Sequence, residues 1–139
     1  ARRTVESTTL EFNTGGREPA GQMQRVLIVD DSGFQRTLVR DAVSEEYEVV
    51  GEAENGAEAV DNFENLSPDV VTMDIMMPAM NGVEATEEIK TQSPDTTIVM
   101  ITSVEQREMM KKAVAAGADA YVTKPFDGDE VLEELTNVV

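Results

Sequence analysis

Five residues of this chain could do chemistry together: Asp30, Asp31, Asp74, Thr102 and Lys124. Each closes or follows an apolar run of strand length. Asp30 and Asp31 end Arg25-Val26-Leu27-Ile28-Val29, and Asp74 ends Val70-Val71-Thr72-Met73. Thr102 ends Thr97-Ile98-Val99-Met100-Ile101, and Lys124 follows Ala118-Asp119-Ala120-Tyr121-Val122-Thr123. Polar groups at the carboxyl ends of buried strands stand where α/β proteins bind ligands. Asp74 is a candidate nucleophile there. Three carboxylates gathered together repel unless a cation lies among them. Oxygen-only ligands select a hard divalent ion, and Mg2+ fits because it keeps waters and uses few carboxylates. Singly, Asp30 or Ser32 is as readily a cap or a solvated turn; the set is the signal.

Composition removes most other chemistries. The chain has 139 residues with 40% hydrophobic and 4% aromatic content, which suits one domain with an aliphatic core. It has no cysteine, excluding disulfides and thiolate chemistry, and no histidine, excluding the commonest general base and imidazole ligands. Carboxylates, hydroxyls, lysine or a bound ion must therefore do any work. A net charge of -17 disfavours nucleic acid as a partner. No apolar run approaches membrane-spanning length, and no signal-like segment opens the chain. Lysine is confined to Lys90, Lys111, Lys112 and Lys124. An acidic, lysine-poor surface is what a salt-rich cytoplasm selects, and it predicts folding that improves in molar salt.

The elements that must position these residues follow in order. Residues 1–22 lack periodicity, carry Gly15-Gly16 and Pro19-Ala20-Gly21, and read as a flexible N-terminal extension that need not be native. Met23 stands ahead of the first strand as an initiator would, and the domain is expected over residues 23–139. Unalternating apolar runs predict strands buried on both faces, as in a parallel sheet. Ser32 is placed to cap a helix with Phe34, Leu38 and Ala42 as its apolar stripe. A weaker strand over residues 47–53 precedes a helix with Ala59, Val60, Phe63 and Leu66, opened by Asn55-Gly56. Asn81-Gly82 opens a third helix that Ser93-Pro94 stops near Gln92, and a fourth is expected from about Val104 to Ala116, with Gly117 beyond it. Asp127 is placed to cap a last helix carrying Val131, Leu132, Leu135 and Val138. Five β-then-α units specify an α/β fold: a doubly wound, five-stranded parallel sheet of order 2-1-3-4-5, flavodoxin-like, with its crevice between strands 1 and 3. That order puts the acid pair opposite Asp74, with Thr102 and Lys124 on the same rim. An FMN site would need a phosphate cradle after strand 1, where Asp-Asp-Ser would repel a phosphate.

The runs VLIVDDS, VVTMDIMMPAMNG, MITS and AYVTKPF, in this order and spacing, resemble the receiver domain of two-component response regulators. The resemblance covers Arg25 to Val139. Because the chain ends after the fifth helix, it is similar to stand-alone receivers of the chemotaxis type. The resemblance implies that Asp74 is the phosphoacceptor. It implies that Asp31, Asp74 and the backbone carbonyl of Met76 bind Mg2+ directly, with Asp30 acting through water. Lys124 would pair with Asp74 and then hold a phosphoryl oxygen, Thr102 would hold another, and Lys124-Pro125 would be a cis peptide. It further implies a switch in which Thr102 moves towards the phosphoryl group and Tyr121 swings into the vacated space.

The implied output surface is helix 4, strand 5 and helix 5, with Arg107, Met110, Val114 and Tyr121 as exposed candidates. Implied partners are a histidine kinase as phosphodonor, a motor or adaptor protein as output, and a phosphatase; the implied location is cytoplasmic. Met76 and Val104 flank the family's path for hydrolytic water, and neither side chain can orient water, so dephosphorylation is expected to be slow. Ser103, where the family often has alanine, is small enough not to block the phosphoryl group. Two other readings stand beside this one. A Mg2+-dependent phosphatase with Asp74 as nucleophile would want an acid where Met76 stands, and the intact acid set argues against a constitutive scaffold.

Overall fold

The structure, a computed structural model, describes residues 23–139, the side chain of Val104 excepted; the expected extension over residues 1–22 lies outside them. The chain alternates strand and helix throughout: β1 (Gln24–Val29), α1 (Gly33–Val43), β2 (Tyr47–Ala53), α2 (Gly56–Leu66), β3 (Val70–Asp74) and α3 (Gly82–Gln92). There follow β4 (Thr97–Ser103), a 3-10 turn (Val104–Gln106), α4 (Arg107–Ala115), β5 (Ala120–Lys124) and α5 (Gly128–Val138). The sheet is wholly parallel in the order β2-β1-β3-β4-β5, as the succession of elements predicts.

The apolar runs behave as strands covered on both faces. In β1, Val26 and Ile28 join the layer under α1 and α5, while Leu27 and Val29 join the layer on the opposite face with residues of α2, α3 and α4. In β4, Val99 and Ile101 take the first layer, and Ile98 and Met100 the second. Each such side chain contributes about 1.5–3 kcal/mol of hydrophobic stabilisation, so both layers hold the strand ends at the rim in place. Thr72 is the polar exception within β3: its buried hydroxyl has no hydrogen-bond partner among the described residues.

Capping follows the predicted residues. Ser32, Asn55, Asn81 and Asp127 each accept a backbone N–H at the start of a helix, and Asn81 and Asp127 complete reciprocal caps with Glu84 and Glu130. Two expectations need correction. The inward stripe of α1 is not Phe34, Leu38 and Ala42: Phe34 is 70% exposed and Leu38 38%, whereas Val39 and Val43 are buried and Ala42 is half-buried. Two adjacent i, i+4 stripes compete on this helix, and the branched, compact valines take the sheet side, while the guanidinium groups of Arg36 and Arg40 reach Glu52. The fourth helix also begins later than expected, because residues 104–106 form a 3-10 turn without a side-chain cap.

Candidate functional site

The rim at the carboxyl end of the sheet is built by the backbone before any side chain acts. At the end of β1, the Asp30 N–H donates to the Ala53 carbonyl at 3.1 Å, extending the β1–β2 ladder by one residue. Asp30 Oδ1 then accepts the Ser32 N–H at 2.9 Å, while Ser32 Oγ accepts the Gln35 N–H at 3.2 Å and starts α1. Asp74 is the last residue of β3, and its Oδ1 accepts the N–H of Ile75 at 2.9 Å. The loop beyond folds back under close constraint. The Gly82 N–H donates to the Ile75 carbonyl at 2.7 Å, and the Gly56 N–H donates to the Met80 carbonyl at 2.8 Å. A Cβ on Gly82 would overlap the Asp74 carbonyl oxygen, and one on Gly56 that of Met80. Only glycine permits these approaches.

The side chains converge as the sequence predicts. Carboxylate oxygens of Asp30, Asp31 and Asp74 all lie within 4.8 Å of one another. Asp30 and Asp74 are buried, and Asp31 is exposed. Lys124, at the end of β5, places Nζ 3.1 Å from Asp30 Oδ2 and 3.4 Å from Asp74 Oδ1. The ammonium therefore bridges two acids, with its shorter contact to Asp30 rather than to Asp74. Burial, reinforced by the charge of Asp30 and only partly offset by Lys124 and the Ile75 N–H, pushes the Asp74 carboxyl up to about 6. One ammonium facing three carboxylates leaves an anionic hollow.

The donor set fits a magnesium ion. All its side-chain donors are hard oxygens, and Asp31 has no hydrogen-bond partner among the described residues. Both Asp30 oxygens are already engaged, by Ser32 N–H and Lys124. That leaves Asp31 and Asp74 best able to hold the ion directly, with Asp30 at one remove.

Comparison with known proteins decides the family. The family profile described as response regulator receiver domain matches residues 26–136. The chain belongs to the response regulator receiver domain family. Among curated relatives, the chemotaxis protein CheY of Halobacterium salinarum is 50% identical over 116 residues, covering 84% of this chain and 97% of the relative. CheY of Bacillus subtilis is 45% identical over 116 residues, covering 83% and 97%. Among solved structures, the CheX–CheY–BeF3–Mg2+ complex from Borrelia burgdorferi matches with a TM-score of 0.80 and 31% identity, covering 85% of this chain and 90% of that one. A CheY-like receiver domain protein from Methanospirillum hungatei matches with a TM-score of 0.78 and 30% identity, covering 84% and 93%.

The remaining predicted residues of this receiver fall at different distances from the acids. Thr102 is buried near the end of β4, one residue beyond Ile101, which pairs with Asp74 in register; its hydroxyl donates only a long 3.4 Å bond to the Ser103 carbonyl. Tyr121 pairs with Met100 and so shares a sheet face with Thr102, but it is 54% exposed. The Lys124–Pro125 peptide is cis, as expected. Met76 is 52% exposed beside the acids. Arg107 and Val114 are exposed on α4, but Met110 is not: it is half-buried against the core with Met109. The side chain of Val104 lies outside the described residues.

Sequence reasoning missed two residues at the rim. Arg36 donates from Nη1 to the Asp30 carbonyl at 2.6 Å and from Nε to Glu52 Oε1 at 2.8 Å. Glu52, which burial alone would raise, is held below its usual range by Arg40 and Arg36. The i, i+4 spacing of Arg36 and Arg40 points to a shared acid but identifies neither Glu52 on β2 nor the Asp30 carbonyl.

Proposed function

We propose that this receiver is phosphorylated on Asp74 by a histidine kinase in a Mg2+-dependent reaction, and that the modification changes the face formed by α4, β5 and α5 for a downstream partner in chemotaxis. The observation that carries the reading is the convergence of Asp30, Asp31 and Asp74 within 4.8 Å, with Lys124 bridging two of them. A carboxylate oxygen of Asp74 attacks the phosphorus, the bond from phosphorus to the donor breaks, and the donor leaves with its electron pair. Lys124 supplies positive charge to the oxygens of the transferring group, and Thr102 donates a hydrogen bond to another. Asp31, Asp74 and the Met76 carbonyl would hold a magnesium ion, which would supply charge neutralisation between an anionic nucleophile and an anionic donor.

The switch rests on Thr102 and Tyr121. A hydroxyl held only by a 3.4 Å bond can turn towards a phosphoryl group, and Tyr121, exposed on the same sheet face, can move inward behind it. On α4, Arg107, Lys111 and Lys112 are exposed, and Lys111 Nζ lies 3.5 Å from Glu108 Oε2. The proposed output face carries exposed Arg107, Val114 and Tyr121, with a motor or adaptor protein as its partner. The similarity to curated CheY proteins supports the chemotaxis assignment. A phosphatase reading lacks an acid two residues after Asp74, where the exposed thioether of Met76 stands.

The test is phosphoryl incorporation from acetyl phosphate, read by intact mass. Incorporation is expected with Mg2+, and none with chelator or in Asp74→Asn. Wild-type incorporation in the Asn variant refutes the nucleophile assignment, and net turnover of a phosphomonoester favours the phosphatase.

A further inference from the structure

We propose that Arg36 is a positioning residue for the metal site, acting through the peptide that joins Asp30 to Asp31. This rests on the reading of the acid cluster as a magnesium site. The Asp30–Asp31 peptide is where the chain leaves the sheet, so sheet hydrogen bonding no longer fixes it. The Asp30 N–H is held by the Ala53 carbonyl at 3.1 Å, and the Asp30 carbonyl by Arg36 Nη1 at 2.6 Å. Arg36 thus fixes the peptide plane from which Asp31 projects. Asp31 needs this more than its neighbours do. Asp30 is oriented by Ser32 N–H and Lys124, and Asp74 by Ile75 N–H and Lys124, whereas Asp31 is exposed and has no hydrogen-bond partner among the described residues. Its carboxylate is placed by its backbone alone.

The guanidinium can hold that carbonyl because it is itself clamped. Its Nε donates to Glu52 Oε1 at 2.8 Å, and Arg40 takes the other oxygen of the same carboxylate from one turn further along α1. Glu52 is anchored in turn, since it lies on β2 in register with Ile28 and its carbonyl accepts the Asn62 amide at 3.0 Å. The Arg36 side chain is 15% exposed, against 43% for Arg40. A planar fork with separate donors reaches a carbonyl and a carboxylate at once, which an ammonium does less well. Arg40 shares Glu52 but makes no hydrogen bond to Asp30, so the two arginines separate a stabilising role from a positioning one.

The experiment is calorimetric titration of Mg2+ alone into the full chain, with thermal melts in chelator alongside. Arg36→Ala is expected to weaken Mg2+ binding roughly tenfold, within the range for residues that orient metal ligands. Arg36→Lys should recover part of that loss, while Arg40→Ala should lower the melting temperature and leave the Mg2+ dissociation constant at the wild-type value. Should Arg36→Ala fail to fold, Glu52→Gln, which loosens the clamp without removing the guanidinium, is expected to weaken Mg2+ severalfold relative to Arg40→Ala. Wild-type affinity in folded Arg36→Ala, or an equal loss in Arg40→Ala, overturns the proposal. A wild-type chain that binds no Mg2+ overturns the metal-site reading and this proposal with it. A wild type that binds Mg2+ beside an unaffected Arg36→Ala overturns this proposal alone.

Discussion

Replacing Asp74 should stabilise the metal-free protein, and the gain should depend on pH. Asp74 is buried beside Asp30, and its carboxyl is raised from 3.8 to about 6. A raised acid binds its proton more tightly when folded, so below the unfolded value both states are protonated and nothing is lost. Between the two values the unfolded chain ionises first, and above about 6 the folded chain carries the whole penalty. The interval corresponds to roughly 3 kcal/mol. Solvent reaches the open rim through exposed Asp31, which screens the charge and reduces the figure to about 1–2 kcal/mol. Asp74→Asn keeps the shape and can still accept the Ile75 N–H, while removing the charge. At about pH 8 in chelator, the variant should melt roughly 3–8 °C above the wild type. By about pH 4 most of the difference should disappear, because the wild-type carboxyl is then protonated. Acids shared by both proteins, Glu52 among them, cancel in the comparison. Mg2+ should narrow the gap at high pH by stabilising the wild type more than the variant. A variant no more stable than wild type at high pH, or a gain that does not change with pH, would refute the electrostatic account of the rim.

Other outcomes follow from the same geometry. Lys124→Met removes the ammonium bridging Asp30 and Asp74, and should cost about 2 kcal/mol in urea melts at neutral pH without metal; an unchanged midpoint contradicts the bridging role. Gly82→Ala forces a Cβ onto the Asp74 carbonyl and should cost roughly 1–3 kcal/mol while slowing phosphoryl incorporation; a neutral variant would mean that the loop yields freely. With a net charge of -17, melting temperature should climb in molar KCl, where the screening length falls to roughly 3 Å, and salt-insensitive melting would sink the expectation of salt adaptation. Met76 cannot orient water, so phosphorylated protein should persist for minutes or longer without a phosphatase, as followed by loss of the mass increment, and decay within seconds would contradict this.

What could be read from the chain depended on whether a residue's role is local. The strands were legible because Val26 to Val29 and Ile98 to Ile101 are apolar at every position, which only two-sided burial explains. The acid pair, Asp74 and Lys124 were legible because each sits at a strand end and parallel topology brings strand ends to one rim. The α1 face was not, since the stripe of Phe34 and Leu38 and the stripe of Val39 and Val43 have the same period; only packing against the sheet chooses between them. Met110 was misplaced for a related reason: an unbranched side chain on a short amphipathic helix can lie along the core or away from it. Arg36 was missed because its partner, the Asp30 carbonyl, belongs to the backbone and leaves no mark in the sequence.

These cases place the chain's information at two levels. The residues gathered at the rim are specified by type and by position along their strands, and a motif captures them. The rigidity that makes them a site comes from contacts between backbone and side chain: Arg36 on the Asp30 carbonyl, Gly82 against Asp74, Gly56 against Met80. A receiver could keep all its motif acids and lose function through any of these three. Damage at Arg36 should weaken the ion while Asp74 and its loop stay in place. Damage at Gly82 should displace Asp74 itself and so act on ion and phosphoryl transfer together. The two kinds of loss are separable by measuring Mg2+ affinity and incorporation rate on the same variants.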